Sequence, residues 1–260
     1  MNDETSKLDI DVQKIIGNIT AGDGVVSAPV PDCPDCRDIG FVDRVCDGKR
    51  VVVECTCRRE KMIKAVVGEH FYEKAKTFDS YHPINRGQAE ALNRIKENPD
   101  GSYFLYGDHG VGKTHLLACQ YSWMARNRPG RHLIFVSDSD LSSSLMASIK
   151  DEAKEPVITP ERIKKAAGGF HLFIKEFGKT IWRPIIQEHL FTIIDTIYCR
   201  WSGKESGFGV SIASNLSIED TVKGFEELEK FHGFGGGIAR RVEEMAGSML
   251  EIRKRKEDGK

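Results

Sequence analysis

Gly107-Asp108-His109-Gly110-Val111-Gly112-Lys113-Thr114 decides the fold. The apolar run Ser102-Tyr103-Phe104-Leu105-Tyr106 precedes it and His115-Leu116-Leu117-Ala118-Cys119 follows it. Strand, glycine-rich loop, helix is the context that the pattern G-x-x-x-x-G-K-T requires. Backbone N–H groups of such a loop ring a phosphate chain, and its glycines let the main chain come close. The start of the following helix adds partial positive charge. Lys113 is expected to reach the β- and γ-phosphates, and the Thr114 hydroxyl to bind Mg²⁺. ATP and Mg²⁺ are therefore the expected ligands of residues 107–114. His109 reads as facing solvent and His115 as structural.

Outward from the loop, short apolar runs alternate with helical segments. Strands are expected at Ser102–Tyr106, His132–Ser137, His171–Lys175 and Gly209–Ala213, all bounded by polar residues or glycine. Helices are expected from near Lys113, Ser139 and Trp182, the second capped by Asp138, Ser139 or Asp140. This alternation predicts an α/β fold with a parallel sheet, a P-loop NTPase. Lys150 to Arg162, with Pro156 and Pro160, reads as a surface excursion. The Gly233–Gly237 run reads as a flexible connection.

Five of the seven cysteines fall between residues 32 and 57. Cys33-Pro34-Asp35-Cys36 and Cys55-Thr56-Cys57 flank two strand-like runs that turn at Asp47-Gly48, a hairpin signal. Four thiolates complete a tetrahedral structural zinc site, so Cys33, Cys36, Cys55 and Cys57 are the expected Zn²⁺ ligands of a zinc ribbon. Unligated thiols in a reducing compartment, or an iron–sulfur cluster, are the alternatives. Cys46 is a spare near the hairpin tip, and Cys119 and Cys199 read as core packing.

The expected organisation is a flexible N-terminal segment (1–31), a zinc-binding module (32–57), a linker helix (58–77), an ATPase domain (78–252) and a charged tail (253–260). Leu8, Val12, Ile15, Ile16 and Ile19 recur at helical spacing in the first segment. A net charge of −1 gives no general attraction to nucleic acid, so any such surface is local. No apolar run approaches the ~20 residues that span a bilayer. The acidic start Met1-Asn2-Asp3-Glu4-Thr5 has no signal-peptide core. A cytoplasmic protein without membrane contact is the expectation.

The order of CPxC…CxC, charged linker and G-x-x-G-x-GKTHL resembles the DnaC/IstB-like AAA+ ATPases, replicative-helicase loaders with relatives that serve transposases. The likeness runs from Cys33 to about Ile252. It implies that Asn215, in Ile212-Ala213-Ser214-Asn215-Leu216, is the sensor that ends its strand. It aligns Arg241, in Gly237-Ile238-Ala239-Arg240-Arg241-Val242, with the arginine finger, and it places Asp195 on a helix ending in Arg200-Trp201. A replicative DNA helicase, single-stranded DNA and nucleotide-dependent self-association are the partners it implies. An IstB-like transposition adaptor, acting on duplex DNA and a transposase, is the alternative.

The chain departs from that family at one strand. The family closes this strand with two aspartates; here it reads Ile174-Lys175-Glu176-Phe177-Gly178. The first acid helps hold Mg²⁺ against the phosphates, and a protonated lysine does not. Glu176 can still orient water. Weakened hydrolysis is the expectation, with a non-hydrolysing AAA+ scaffold as its limit. Arg200, Trp201 and Lys204 offer charge and stacking to single-stranded nucleic acid, set against a solvated loop.

Overall fold

The computed structural model describes residues 32–46, 48–74, 77–151, 156–179, 183–221, 223, 234–247 and 249–253. The expected helix on Leu8–Ile19, Asp47 of the hairpin turn, Trp182 and residues 254–260 lie outside these.

A two-stranded antiparallel hairpin comes first, β1 (Phe41–Cys46) and β2 (Lys49–Glu54), in a register that pairs Phe41 with Glu54 and Cys46 with Lys49. Two helices follow, α1 (Thr56–Val67) and α2 (Glu69–Lys74). They divide at Gly68, whose φ of 86° ends the first helix in a conformation that side chains disfavour. Next come α3 (Arg86–Glu97), β3 (Tyr103–Gly107), α4 (Lys113–Asn127), β4 (His132–Ser137) and α5 (Asp138–Lys150). The chain continues through α6 (Pro160–Lys164), β5 (Phe170–Phe177), α7 (Pro184–Ser202), β6 (Gly209–Ser214), α8 (Phe234–Ala246) and β7 (Met249–Ile252).

The last five strands form one sheet in the order β4-β5-β6-β3-β7, with every pairing parallel. Burial on both faces explains their near-continuous apolar runs. Alternate residues serve opposite faces. Phe104, Ile174 and Ile212 join the cluster under α5, α7 and α8, while Leu105, Phe173 and Ala213 join the one under α1, α3 and α4. The α/β class and the parallel sheet agree with the sequence reading.

Several local expectations need correcting. The strand expected at His171–Lys175 runs from Phe170 to Phe177 and carries an irregularity between Ile174 and Phe177. Ser137 caps α5, its hydroxyl accepting from the Asp140 N–H; Asp138, Ser139 and Asp140 lie inside the first turn. The stretch 150–162 is not wholly a surface excursion, because Ile158 is buried, as is Ile163 of the α6 that follows it. Cys119 is buried as expected, whereas Cys199 is exposed on α7. The edge strand β7 went unforeseen: its Met-Leu-Glu-Ile is too short to carry a period.

Candidate nucleotide-binding site and cysteine cluster

The parallel sheet brings the C-terminal ends of β3, β5 and β6 to one edge. Because β6 lies between β3 and β5, residues that follow β6 stand beside the loop that follows β3. At that edge a cleft of about 310 Å³ is lined by residues 109–115, Glu176, Lys179, Ala213 and Asn215. The loop conformation requires its glycines. Gly107 has φ 129°, and a Cβ there would lie 2.1 Å from the Ile252 carbonyl oxygen of β7. Gly112 caps α4 in the left-handed region (φ 83°), where a Cβ would meet the Tyr81 hydroxyl at 2.7 Å.

Lys113 is the centre of the polar network. Its Nζ donates to the carbonyls of Gly107 (2.9 Å) and Asp108 (2.6 Å) and to Asn215 Oδ1 (3.0 Å). Burial holds its pKa below the ordinary lysine value. The loop is braced from outside as well: Gln88 Nε2 donates to the Val111 carbonyl at 3.0 Å, and Tyr81 packs edge-on against His115. His109 is exposed, as expected.

On β5 the two departures from the family lie side by side. Glu176 adopts φ 59°, an uncommon conformation for a side-chain-bearing residue, and lines the cleft. Its carboxylate accepts from Lys179 Nζ at 3.0 Å. The amine of Lys175 lies 5.9 Å from the centre of the Phe135 ring, and Lys175 does not line the cleft. Ser214 ties the strand ends together by donating to the Phe177 carbonyl at 2.8 Å. For Mg²⁺, the Thr114 hydroxyl fits as a ligand, but Lys175 stands at the expected carboxylate position and the one lining carboxylate is already paired.

Arg241 lies elsewhere, on α8. Its Nε donates to Asp195 Oδ1 at 2.7 Å and its Nη1 to the Gly237 carbonyl, while its guanidinium stacks on Phe191 and Tyr198. Asp195 is on α7, as expected. Arg240 is far more exposed and pairs with Glu244. Arg200 pairs with Glu205 and covers Phe208, so its charge is partly used within the chain.

The sulfurs of Cys33, Cys36, Cys55 and Cys57 all lie within 4.8 Å of one another. The Cys33–Cys55 and Cys36–Cys57 separations are 3.7 and 3.3 Å. Tetrahedral zinc at ~2.3 Å from each sulfur spaces them by about 3.8 Å, so the donor set fits Zn²⁺. The surrounding turn is ordered for it: Asp38, at φ 67°, accepts from the Cys33 N–H, and the Gly40 N–H points at Cys36 Sγ. The other thiols and burial push the Cys57 thiol well above its usual range, a cost that a cation among the sulfurs removes. Cys57 lies in the first turn of α1, which runs onto α4. There Glu60 takes two hydrogen bonds of 2.6 Å from Arg126, and Arg59 donates to the Arg126 carbonyl. Sequence reasoning missed Lys179 and the Glu60–Arg126 clamp; an i,i+3 pair and a contact across 66 positions leave no local pattern.

A parallel sheet with a phosphate-binding loop at its edge and a polar residue ending the neighbouring strand defines a P-loop ATPase fold. The family of the bacterial DnaA ATPase domain matches residues 72–200, about half of the chain. The chromosomal replication initiator DnaA of Neisseria gonorrhoeae is 37% identical over 70 residues; these are 26% of this chain and 14% of that protein. Two solved structures share the fold. DnaI is 18% identical with a TM-score of 0.52, covering 69% of this chain and 93% of its own. The DnaC helicase loader is 20% identical with a TM-score of 0.51, covering 71% and 99%. The chain is thus similar to the bacterial DnaA ATPase domain over that half and shares the AAA+ fold of DnaC and DnaI.

Proposed function

We propose that this protein binds ATP through Gly107–Thr114 and acts in DNA replication as a helicase-loader-like AAA+ protein. The carrying observation is Lys113, held at the mouth of the loop by two of its carbonyls and by Asn215. A bound triphosphate replaces those acceptors, so Asn215 is placed to register the change. The fold shared with DnaC and DnaI is what supports the loader reading. In this reading the partners are a replicative helicase, single-stranded DNA and further copies of the chain, all in the cytoplasm. The cysteine module carries one Zn²⁺ and contacts the protein partner.

Chemistry at the site is phosphoryl transfer to water. Were Mg²⁺ to bind, Thr114 and the phosphates would be its ligands and the ion would supply charge stabilisation there. Glu176 orients the water once Lys179 releases it. Arg241, as the arginine finger, acts on a neighbouring subunit's nucleotide after leaving Asp195. Lys175 weakens hydrolysis by removing a carboxylate, and that one residue favours a slowly hydrolysing or non-hydrolysing scaffold as the second reading. The test is co-purification with tagged replicative helicase in the presence of ATP, using Lys113→Ala as control. Helicase capture that needs Lys113 supports the proposal. Capture of a transposase in its place overturns the loader assignment.

A further inference from the structure

Mg²⁺ is bound by hard oxygen donors, commonly one or two carboxylates together with substrate phosphates. Among the described residues lining the cleft, Glu176 is the one carboxylate, and the Lys179 amine already sits 3.0 Å from it. The residue before it on β5 is Lys175. Two amines, those of Lys113 and Lys179, line the cleft with that single carboxylate. The Lys179–Glu176 pair is exposed on both sides, with side chains 69% and 49% accessible. Such pairs are worth little in water, so the Lys179 amine moves to a more highly charged acceptor at small cost. A triphosphate in the cleft is that acceptor. Lys175 precedes Glu176 on β5, and its amine, over Phe135 rather than in the cleft, sets a positive charge behind the one lining carboxylate that opposes an approaching divalent ion.

We propose that the cleft binds its nucleoside triphosphate without a divalent cation, with Lys179 as the cation that replaces it and Lys175 as the residue that excludes it. This rests on the nucleotide reading of the loop.

The probe is a fluorescent N-methylanthraniloyl ATP, titrated into the full chain in resin-treated buffer with and without millimolar MgCl₂. A soluble chelator is avoided because it would strip the thiolate cluster. Wild-type affinity is expected to change by less than about five-fold between the two conditions. Lys179→Ala should weaken binding in metal-free buffer by about ten-fold. Lys175→Asp should make binding Mg²⁺-dependent by about ten-fold or more, and Lys175→Gln, which adds no charge, covers the case in which the aspartate does not fold. Wild-type binding that weakens more than five-fold without Mg²⁺ overturns the inference, as does Lys179→Ala binding like wild type. If the probe binds in neither condition, and Lys113→Ala behaves the same, the nucleotide reading of the loop itself falls.

Discussion

His171 shows how a single buried residue sets the response to acid. It sits inside β5, fully buried, with Nε2 on the Ser211 hydroxyl at 2.9 Å, and burial lowers its pKa from 6.5 to about 3. The unfolded chain takes a proton there below pH 6.5 while the folded chain does not. Stability from this site is therefore complete above pH 6.5 and falls as pH drops towards 3, by about 1.4 kcal/mol per pH unit. Urea melts of wild type and His171→Asn between pH 7 and pH 4 should show a shallower loss in the variant; parallel curves would show that His171 titrates normally. Gly107 illustrates the opposite case, in which the main chain leaves no room. Gly107→Ala drives a methyl group into the Ile252 carbonyl and should cost about 3 kcal/mol or more, with loss of nucleotide binding. A thermal melt within error of wild type would contradict the loop geometry.

At the level of elements, α1 joins the thiolate cluster to the helix that carries the loop. Its N-terminus holds Cys57, its middle buries Ile63 against the core, and Glu60 grips Arg126 near the end of α4. Glu60→Gln should weaken that clamp by about 1 to 2 kcal/mol. Cys36→Ser should release zinc, with loss of hairpin order visible as new amide exchange across Phe41–Glu54. Zinc retained at about one per chain in Cys36→Ser would contradict the four-thiolate assignment. The sequence reveals this part well because each pattern is local: paired cysteines around a hairpin, and a loop motif between strand and helix. It does not reveal the φ of Glu176, the Ser137 cap, β7 or the Arg241–Asp195 pair. β7 and the Arg241–Asp195 pair depend on tertiary contacts and Glu176 on an irregularity within the strand, while the Ser137 cap is a local bond among several neighbouring residues able to cap.

Across the whole molecule, the same residues serve one chain alone and would serve an assembly. Arg241 is satisfied within its own subunit by Asp195 and two aromatic rings, so acting on a neighbour requires breaking that pair. Asp195→Asn should therefore favour nucleotide-dependent assembly and Arg241→Ala should oppose it, read by sedimentation with ATP. Equal assembly by both variants would argue against the finger role. ATP binding with impaired turnover in a helicase-loader-like protein turns on Lys175. The direct measurement is steady-state ATP hydrolysis by wild type and Lys175→Asp, with replicative helicase and single-stranded DNA present. Little turnover is expected of wild type, with an increase of about 10²-fold in the variant, the scale of one restored electrostatic element. Brisk turnover by wild type that falls in Lys175→Asp would contradict that expectation.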